Sequence, residues 1–487
     1  MMTSLKNNLI TKLIDRLFDI LKNDSDISPF HATIQISYLL LIKRVNPDVW
    51  EHIKSGNQSE QIIHIIQDKS FPEIKRQLVD SYGISYEVLD AMEFKITNMK
   101  MLHECVDVID NIHNEANIRI TKSLFYYDID GIIFDELYEK SIKKSQNAQN
   151  LYIPRHIRNM MAALTEANYS DDIYDPMCSS GGMLLSIYEK VMQEKHENKI
   201  EDTISLDSDG FNTFQYSSIS SSVSPSVLCG SDPNIEQLLL AILNFKLRGI
   251  AKANLQLDNF IQNESPQYFD VVIANPPFGQ KLDNPYWNDG ITTKNTEIAF
   301  IDKITSSLTS NGKATIIVSE GFLTKTNAQF SQCRARLIAQ NRLEAVISLP
   351  PGIFHNTQAK ASLLILTKGE NNRNQSLGTW FYELISDGYT NDSAKRRIKG
   401  YPLPEAVKAF KQRENDIKNE RTEKSFFVSF KEIQENDWNL SYNRYKQFSY
   451  EKQDYENTDK LIFDIANNEK EIQNTLDELK SMLVWRQ

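Results

Sequence analysis

The spacing of apolar residues changes near residue 150. Before that point they recur at helical intervals. Leu5, Leu9, Leu13, Leu17 and Leu21 are spaced by four and interleaved with charges, which predicts an amphipathic helix and not a cleavable leader. Asn23-Asp24-Ser25-Asp26 breaks that pattern. Ser28-Pro29 then offers an N-cap followed by proline at the first helical position. The run ATIQISYLLLIKRV predicts a strongly apolar second helix. Strand signals are few, so residues 1–145 are expected to form a helical N-terminal domain.

From Leu151 short apolar runs alternate with amphipathic stretches. DIYDP, PSVLCGSD, YFDVVIANPP, KATIIVSE, LEAVISLP and ASLLILTKG have the length of buried strands. Between several of them lie helical patterns such as GGMLLSIYEKVMQE and NIEQLLLAILNFKLRG. This alternation predicts an α/β domain over 146–370, with a doubly wound, parallel sheet. The serine-rich segment 199–226 does not fit and is expected to be a surface insertion or mobile loop. Residues 371–487 lose the alternation and predict a helical C-terminal tail. That tail holds a basic run, Ala394 to Gly400, a candidate phosphate contact. Near its end Ile462, Ile465, Ile472, Leu476, Leu479 and Leu483 follow a seven-residue pattern with Glu469 at one apolar site. A short coiled-coil helix of this kind needs a partner or a docking surface.

Composition narrows the class. With 487 residues, 40% hydrophobic and 24% charged, the chain has room for two or three soluble domains. No apolar run approaches the roughly 20 residues of a membrane helix. Cys105, Cys178, Cys229 and Cys333 are scattered without metal-ligand spacing, so no metal is expected and a reduced cytoplasmic setting is. The net charge of −11 lacks the basic surplus of a protein that grips DNA alone. A nucleic-acid substrate would require a local patch or a basic partner.

Four strand ends carry candidate chemistry. In YDPMCSSGGM, Asp175 ends a strand, and Ser179, Ser180, Gly181 and Gly182 let the backbone pass close to a ligand before a helix N-terminus. An ordinary strand-to-helix turn has the same pattern. In GSDPN, Asp232 and Asn234 stand where an acid hydrogen-bonds ribose hydroxyls in nucleotide-binding sheets, although such an acid is often a helix cap. Asp258 and Asn259 follow the next run, with Phe260 beside them; they could serve a bound adenine or simply make a turn. No G-K-[ST] loop is present, which argues against an NTPase. The fourth strand ends in Asn275-Pro276-Pro277-Phe278. Neither proline can donate to a sheet. The Asn275 amide oxygen and the Pro276 carbonyl can both accept from one amino group, freeing its lone pair for attack, and Phe278 can stack on the ring that bears it.

These motifs, in this order, resemble the amino-methylating DNA methyltransferases that use S-adenosylmethionine. More narrowly, nearly the whole chain resembles the modification (M) subunit of type I restriction–modification systems. Asn275, Pro276, Pro277 and Phe278 match that family's catalytic motif. Asp175 with Gly181-Gly182 matches its cofactor motif, Gly230 to Asn234 its ribose motif, and Asp258-Asn259 its adenine motif. Tyr152, Ile153 and Pro154 match a Tyr-Thr-Pro-Arg segment that contributes to the cofactor pocket. LSYNRY, Leu440 to Tyr445, is similar to the family's tail. The resemblance implies methyl transfer to N6 of adenine in duplex DNA. It also implies a separate specificity subunit contacted by the terminal helix, a restriction translocase, and two modification subunits per complex. Two positions depart from the family. Ser179 replaces the first glycine of Cys-Gly-Ser/Thr-Gly-Gly, which is expected to place a side chain where the cofactor's amino-acid end would lie; Ile153 replaces threonine. Methylation of RNA or of a protein glutamine, or a non-catalytic scaffold role, are the alternatives.

Overall fold

The structure, a computed structural model, describes residues 8–22, 27–55, 61–120, 129–144, 152–197, 228–265, 267–354, 359–369, 378–390, 396–398, 400, 402–418, 421–447 and 458–484. The serine-rich segment 199–226 lies outside them. Two compact units are present, Met1–Lys446 and Gln447–Gln487.

Described residues between 8 and 144 are helical or connecting, with no strand among them. Helix α1, Asn8–Lys22, buries Ile10, Ile14, Leu17, Phe18 and Leu21 and leaves Leu9 exposed. Strict four-residue spacing drifts around a 3.6-residue helix, so the buried stripe mixes the Leu positions with the intervening Ile and Phe. Ser28 caps α2, Pro29–Val45, accepting from the His31 N–H at 3.2 Å, with Pro29 in the first turn as its sequence predicts. Every residue of α2 from Ala32 to Ile42 is buried. Helix α3, Met99–Ile120, and α4, Ile129–Lys144, complete the part of this region that bears on the site. Helix α5, Arg155–Thr165, leads into the sheet.

The sheet has nine strands. In chain order they are β1 Ile173–Asp175, β2 Leu228–Asp232, β3 Asn254–Leu257, β4 Phe269–Ala274, β7 Leu308–Ser319, β8 Asn341–Ser348, β9 Ala361–Lys368, β10 Thr379–Glu383 and β11 Ser425–Val428. A separate hairpin, β5 Lys281–Asn288 and β6 Ile291–Asn295, follows β4. The spatial order is β11-β10-β8-β9-β7-β4-β1-β2-β3. Strands β1, β2, β3, β4 and β7 are mutually parallel, as are β8 and β10. The expected all-parallel sheet is corrected at two places: β9 runs antiparallel to β7 and β8, and β11 antiparallel to β10. The link from β8 to β9 carries Pro350, Pro351 and Gly352, and its described residues hold no crossover helix of the kind that a parallel return needs. Strands β10 and β11 come from beyond residue 370, so the tail contributes to the sheet before its helices end.

Continuous apolar runs here serve two faces by alternation. Along β4, Val271 and Ile273 enter one core while Val272 and Ala274 enter the other. Along β10, Trp380 and Tyr382 face the first core and Phe381 the second. The N-terminal helices share the first core. Between them and the sheet lies α7, Ile235–Leu247, buried from Gln237 to Phe245, which follows α6, Gly182–Glu197, in the chain. A helix sandwiched this way has no solvent face, which explains its apolar circumference. Its C-terminal end is held from the N-terminal region. Arg44 donates to Leu247 O at 2.7 Å, Tyr82 to Ile250 O at 2.6 Å, and Arg248 pairs with Asp135 at 2.6 Å. The Arg44 bond satisfies one of the carbonyls that the helix end leaves open.

On the other face, the returning tail docks through LSYNRY. Leu440, Tyr442 and Tyr445 are buried in the second core. Arg334, on α9 (Ala328–Gln340), is buried and donates to the carbonyls of Phe322, Lys325, Asp437 and Trp438, tying that tail to the sheet. The second unit is one helix, α11, Thr458–Val484, numbered after α8 (Thr296–Ser306) and α10 (Pro402–Lys411). On it Ile462, Ile465 and Ile472 are each about 60% exposed, and Leu476 and Leu479 are also exposed. The side chain of Leu483 lies outside the described residues.

Candidate active site

The sheet order creates the site. The chain proceeds β1, β2, β3 in one direction and then returns to place β4 on the other side of β1. Ligands bind in open α/β sheets at such a switch, beyond the carboxyl ends of the strands. Registers Tyr174↔Val272 and Asp175↔Gly230 bring Asp175, Asp232 and Asn275 to the same edge. A cleft partly open to solvent lies there. Tyr152, Ile153, Ser179, Ser180, Gly182, Asp232, Asn275, Pro276 and Pro277 line it.

Two acids set its electrostatics. Asp175 is fully buried; Oδ1 accepts from the Met177 N–H at 3.0 Å, and Oδ2 has no hydrogen-bond partner. Burial pushes its carboxyl up to about 8 against the one stabilising N–H, with the nearby Asp232 charge adding to the rise. Asp232 accepts from Asn234 N at 2.8 Å and from Ser179 N at 3.0 Å, one on each oxygen. Burial raises it to about 6, and these two N–H groups hold it lower than Asp175. Without a ligand the buried Asp175 carboxyl holds its proton; its unpartnered oxygen fits a ligand that brings a cation or donors of its own, such as an ammonium group, which would favour the ionised form.

The loop between β1 and α6 makes the close approach. Ser179 has φ +50° and Gly181 φ +73°. A Cβ on Gly181 would stand 2.7 Å from the Phe245 ring, and one on Gly182 would strike the Arg158 guanidinium. Larger residues cannot occupy either position without displacing what lies behind it. The Ser179 side chain is turned to Tyr138 and Gln237, whose oxygens lie 2.8 Å from its Oγ.

Other expected residues hold the frame. Asn234 caps α7, accepting from Gln237 N at 3.1 Å. Asp258 donates its N–H to Asp232 O at 3.2 Å and accepts from Asn263 at 2.6 Å, while Asn259 Oδ1 accepts from Ile261 N at 3.2 Å. Pro154 precedes α5 as its cap. Phe260 is buried between Tyr174 and Phe300 and belongs to the core. None of Asn234, Asp258, Asn259, Pro154, Asp175, Gly181 or Phe278 is among the residues that line the cleft. The Asn275 amide oxygen is shielded from solvent, and Phe278 is half-buried, edge-on to Phe354 at 6.1 Å. Arg396 and Arg397 are exposed, in a segment whose Asp387 pairs with His156 at 3.2 Å.

Sequence motifs did not point to Tyr138, Ile142, Arg158, Met177 or Met183, which also line the cleft. Tyr138 comes from α4, in the helical N-terminal region, and T-stacks with Tyr152 at 6.0 Å. Arg158 lies one helical turn after Pro154, and that spacing is the one signal the sequence offers for it.

Residues 128–454 match the family model described as N-6 DNA Methylase. The methylase subunit of the type I restriction enzyme EcoEI, from Escherichia coli, is 23% identical over 372 residues. That match covers 72% of this chain and 68% of the subunit. The MpnII methylase subunit of Mycoplasma pneumoniae is 22% identical over 468 residues, covering 89% of this chain and 79% of its own length. Among solved structures, the type I restriction–modification methyltransferase subunit of Streptococcus thermophilus superposes with a TM-score of 0.65 at 16% identity. It covers 90% of this chain and 99% of that one, which establishes a shared fold. The chain therefore belongs to the N-6 DNA methylase family, and within it to the adenine-specific DNA methyltransferases built like type I modification subunits.

Proposed function

We propose that the cleft holds S-adenosylmethionine on its β1–β2 side and the amino group of a target adenine against Asn275 and Pro276. The observation that carries this reading is that Asp232 and the Asn275-Pro276-Pro277 turn line one cleft at the switch point, with Asp175 buried at the end of the neighbouring strand β1. Asp175, whose buried Oδ2 has no hydrogen-bond partner, and the turn through Gly181 and Gly182 would hold the amino-acid end of the cofactor. Asp232 would accept from the ribose hydroxyls. Asp258 and Asn259 would keep the adenosine side of the pocket in shape through the bonds they make to β2 and to their own turn. The cofactor supplies a methyl group activated by its sulfonium charge.

The protein's own work is on the amine. The Asn275 amide oxygen and the Pro276 carbonyl accept hydrogen bonds from its two N–H groups and draw nitrogen toward tetrahedral geometry, and the paired prolines keep both acceptors fixed. Phe278 supports the base from the side. Electrostatic stabilisation of this kind is preorganised and needs no strong general base. In duplex DNA the base must first leave the stack to reach such a pocket. The net charge of −11 supports a division of labour in which a specificity subunit supplies most of the DNA grip, with α11 as the contact and two modification subunits per assembly. Arg396 and Arg397 would add phosphate contacts, and a restriction translocase would complete the system.

Asn275→Ala tests the reading. Sequencing DNA from cells that carry the intact locus is expected to show N6-methyladenine at one split motif, absent from the Asn275→Ala strain. Calorimetry should find cofactor affinity retained in the variant. Methylation that persists in Asn275→Ala would overturn the assignment of the turn.

A further inference from the structure

We infer that Tyr138, from the helical N-terminal region, is a positioning residue of the cofactor pocket, acting through Ser179 on Asp232. The inference rests on the cofactor reading above.

Three oxygens form a buried triangle. Tyr138 Oη lies 2.8 Å from Ser179 Oγ and 3.1 Å from Gln237 Oε1, and Ser179 Oγ lies 2.8 Å from Gln237 Oε1. Each hydroxyl carries one proton and Gln237 Oε1 carries none. Two protons serve the three contacts; with one hydroxyl donating to the other and the second to Gln237, Tyr138 is bonded directly to Ser179.

These bonds hold a residue that would otherwise resist its conformation. At φ +50° Ser179 is in the left-handed region, which strains a residue with a Cβ and costs a glycine almost nothing. In that conformation the Ser179 N–H points at Asp232 Oδ2, at 3.0 Å. Asp232 Oδ1 accepts from Asn234 N, and Asn234 caps the helix that carries Gln237. A closed circuit results: Tyr138 to Ser179, Ser179 to Asp232, Asp232 to Asn234, and Asn234 back to Gln237. Loss of the tyrosine hydroxyl removes the bond from α4 and leaves Ser179 Oγ bonded to Gln237. The left-handed turn then loses one of these two side-chain bonds, and the Ser179 N–H that orients Asp232 is less firmly placed.

Serine and tyrosine thus act as a matched pair. A glycine at 179 would hold the turn unaided and make the tyrosine hydroxyl dispensable. The Cβ of Ser179, which its sequence position suggests would crowd the cofactor, becomes the handle by which α4 holds the loop.

The test measures S-adenosylmethionine affinity by calorimetry on the full chain, with KM and kcat for methyl transfer in the assembled complex. Tyr138→Phe removes one oxygen and keeps the ring. It is expected to weaken cofactor binding about 2- to 10-fold, the range of one net hydrogen bond. KM for the cofactor should move by more than kcat. Ser179→Gly is expected to bind at least as tightly as the parent chain, and Tyr138→Phe in that background should add no further loss. Parent-like affinity in Tyr138→Phe, or the same loss with Ser179→Gly present, overturns the inference and leaves the cofactor reading standing. A parent chain that binds no S-adenosylmethionine at all overturns both. A lowered melting temperature in Tyr138→Phe with affinity intact shows a packing role only, and also overturns it.

Discussion

Gly181→Ala separates two reasons for a glycine in the cofactor loop. The first is conformational. At φ +73° an alanine is strained, by roughly 1–2 kcal/mol. The second is steric. The new Cβ would stand 2.7 Å from Phe245 Cε1, and Phe245 is wholly buried within α7 with no open space to move into. Overpacking of this kind costs roughly 1–3 kcal/mol, so the substitution should destabilise the fold by about 2–5 kcal/mol in all. Gly83 supplies the control. It ends the helix Phe71–Tyr82 at φ +61°, and nothing lies within 4 Å of a Cβ built on it. Gly83→Ala therefore carries the conformational cost alone. Equilibrium urea unfolding of the two variants measures the difference, expected at about 1–3 kcal/mol. Cofactor titration of Gly181→Ala should show weakened binding, while Gly83→Ala binds as the parent does. Equal destabilisation by the two substitutions would refute the argument that the Phe245 ring forms the wall behind the loop.

Stability without cofactor should fall as pH rises from about 4 to 8, because folded Asp175 keeps its proton up to about 8 while an unfolded carboxyl loses it near 3.9. Asp232 adds to that slope below about 6. Asp175→Asn should flatten the melting temperature between pH 6 and 8, and a slope equal to the parent's would show that Asp175 is not the buried acid responsible. Replacing Arg396 and Arg397 together with alanine should weaken DNA binding and shrink the salt dependence by up to about 0.9 per lost phosphate contact. An identical salt slope would remove both from the DNA surface. Ile465→Lys with Ile472→Lys should leave α11 helical by circular dichroism and abolish co-purification with the specificity subunit of the same locus. Undiminished recovery of that complex would assign the contact elsewhere.

Much of this architecture is legible because strands buried on both faces are written as unbroken apolar runs. All six runs read as strands lie in the sheet. Strand β10 was harder to see, since Trp380-Phe381-Tyr382 is a short aromatic island in a charged tail, and only pairing with β8 and β11 makes it a strand. The β5–β6 hairpin carried a usable signal in Asn288-Asp289-Gly290, where Asp289 and Gly290 both take positive φ. The strand-end residues were legible because turn chemistry is local. Tyr138 was not: nothing in a helical segment announces that a distant sheet will bring its hydroxyl to a loop forty residues later. Asn234 shows the converse. Its motif marks the site, yet its side chain is spent on capping a helix.

Asp175 and Asn275 follow neighbouring strands of a single sheet, and adjacent strands are held about 4.8 Å apart by the backbone itself. On the proposed assignment, the relative placement of the cofactor side and the amine side is therefore set by the backbone ladder between β1 and β4 and not by any loop.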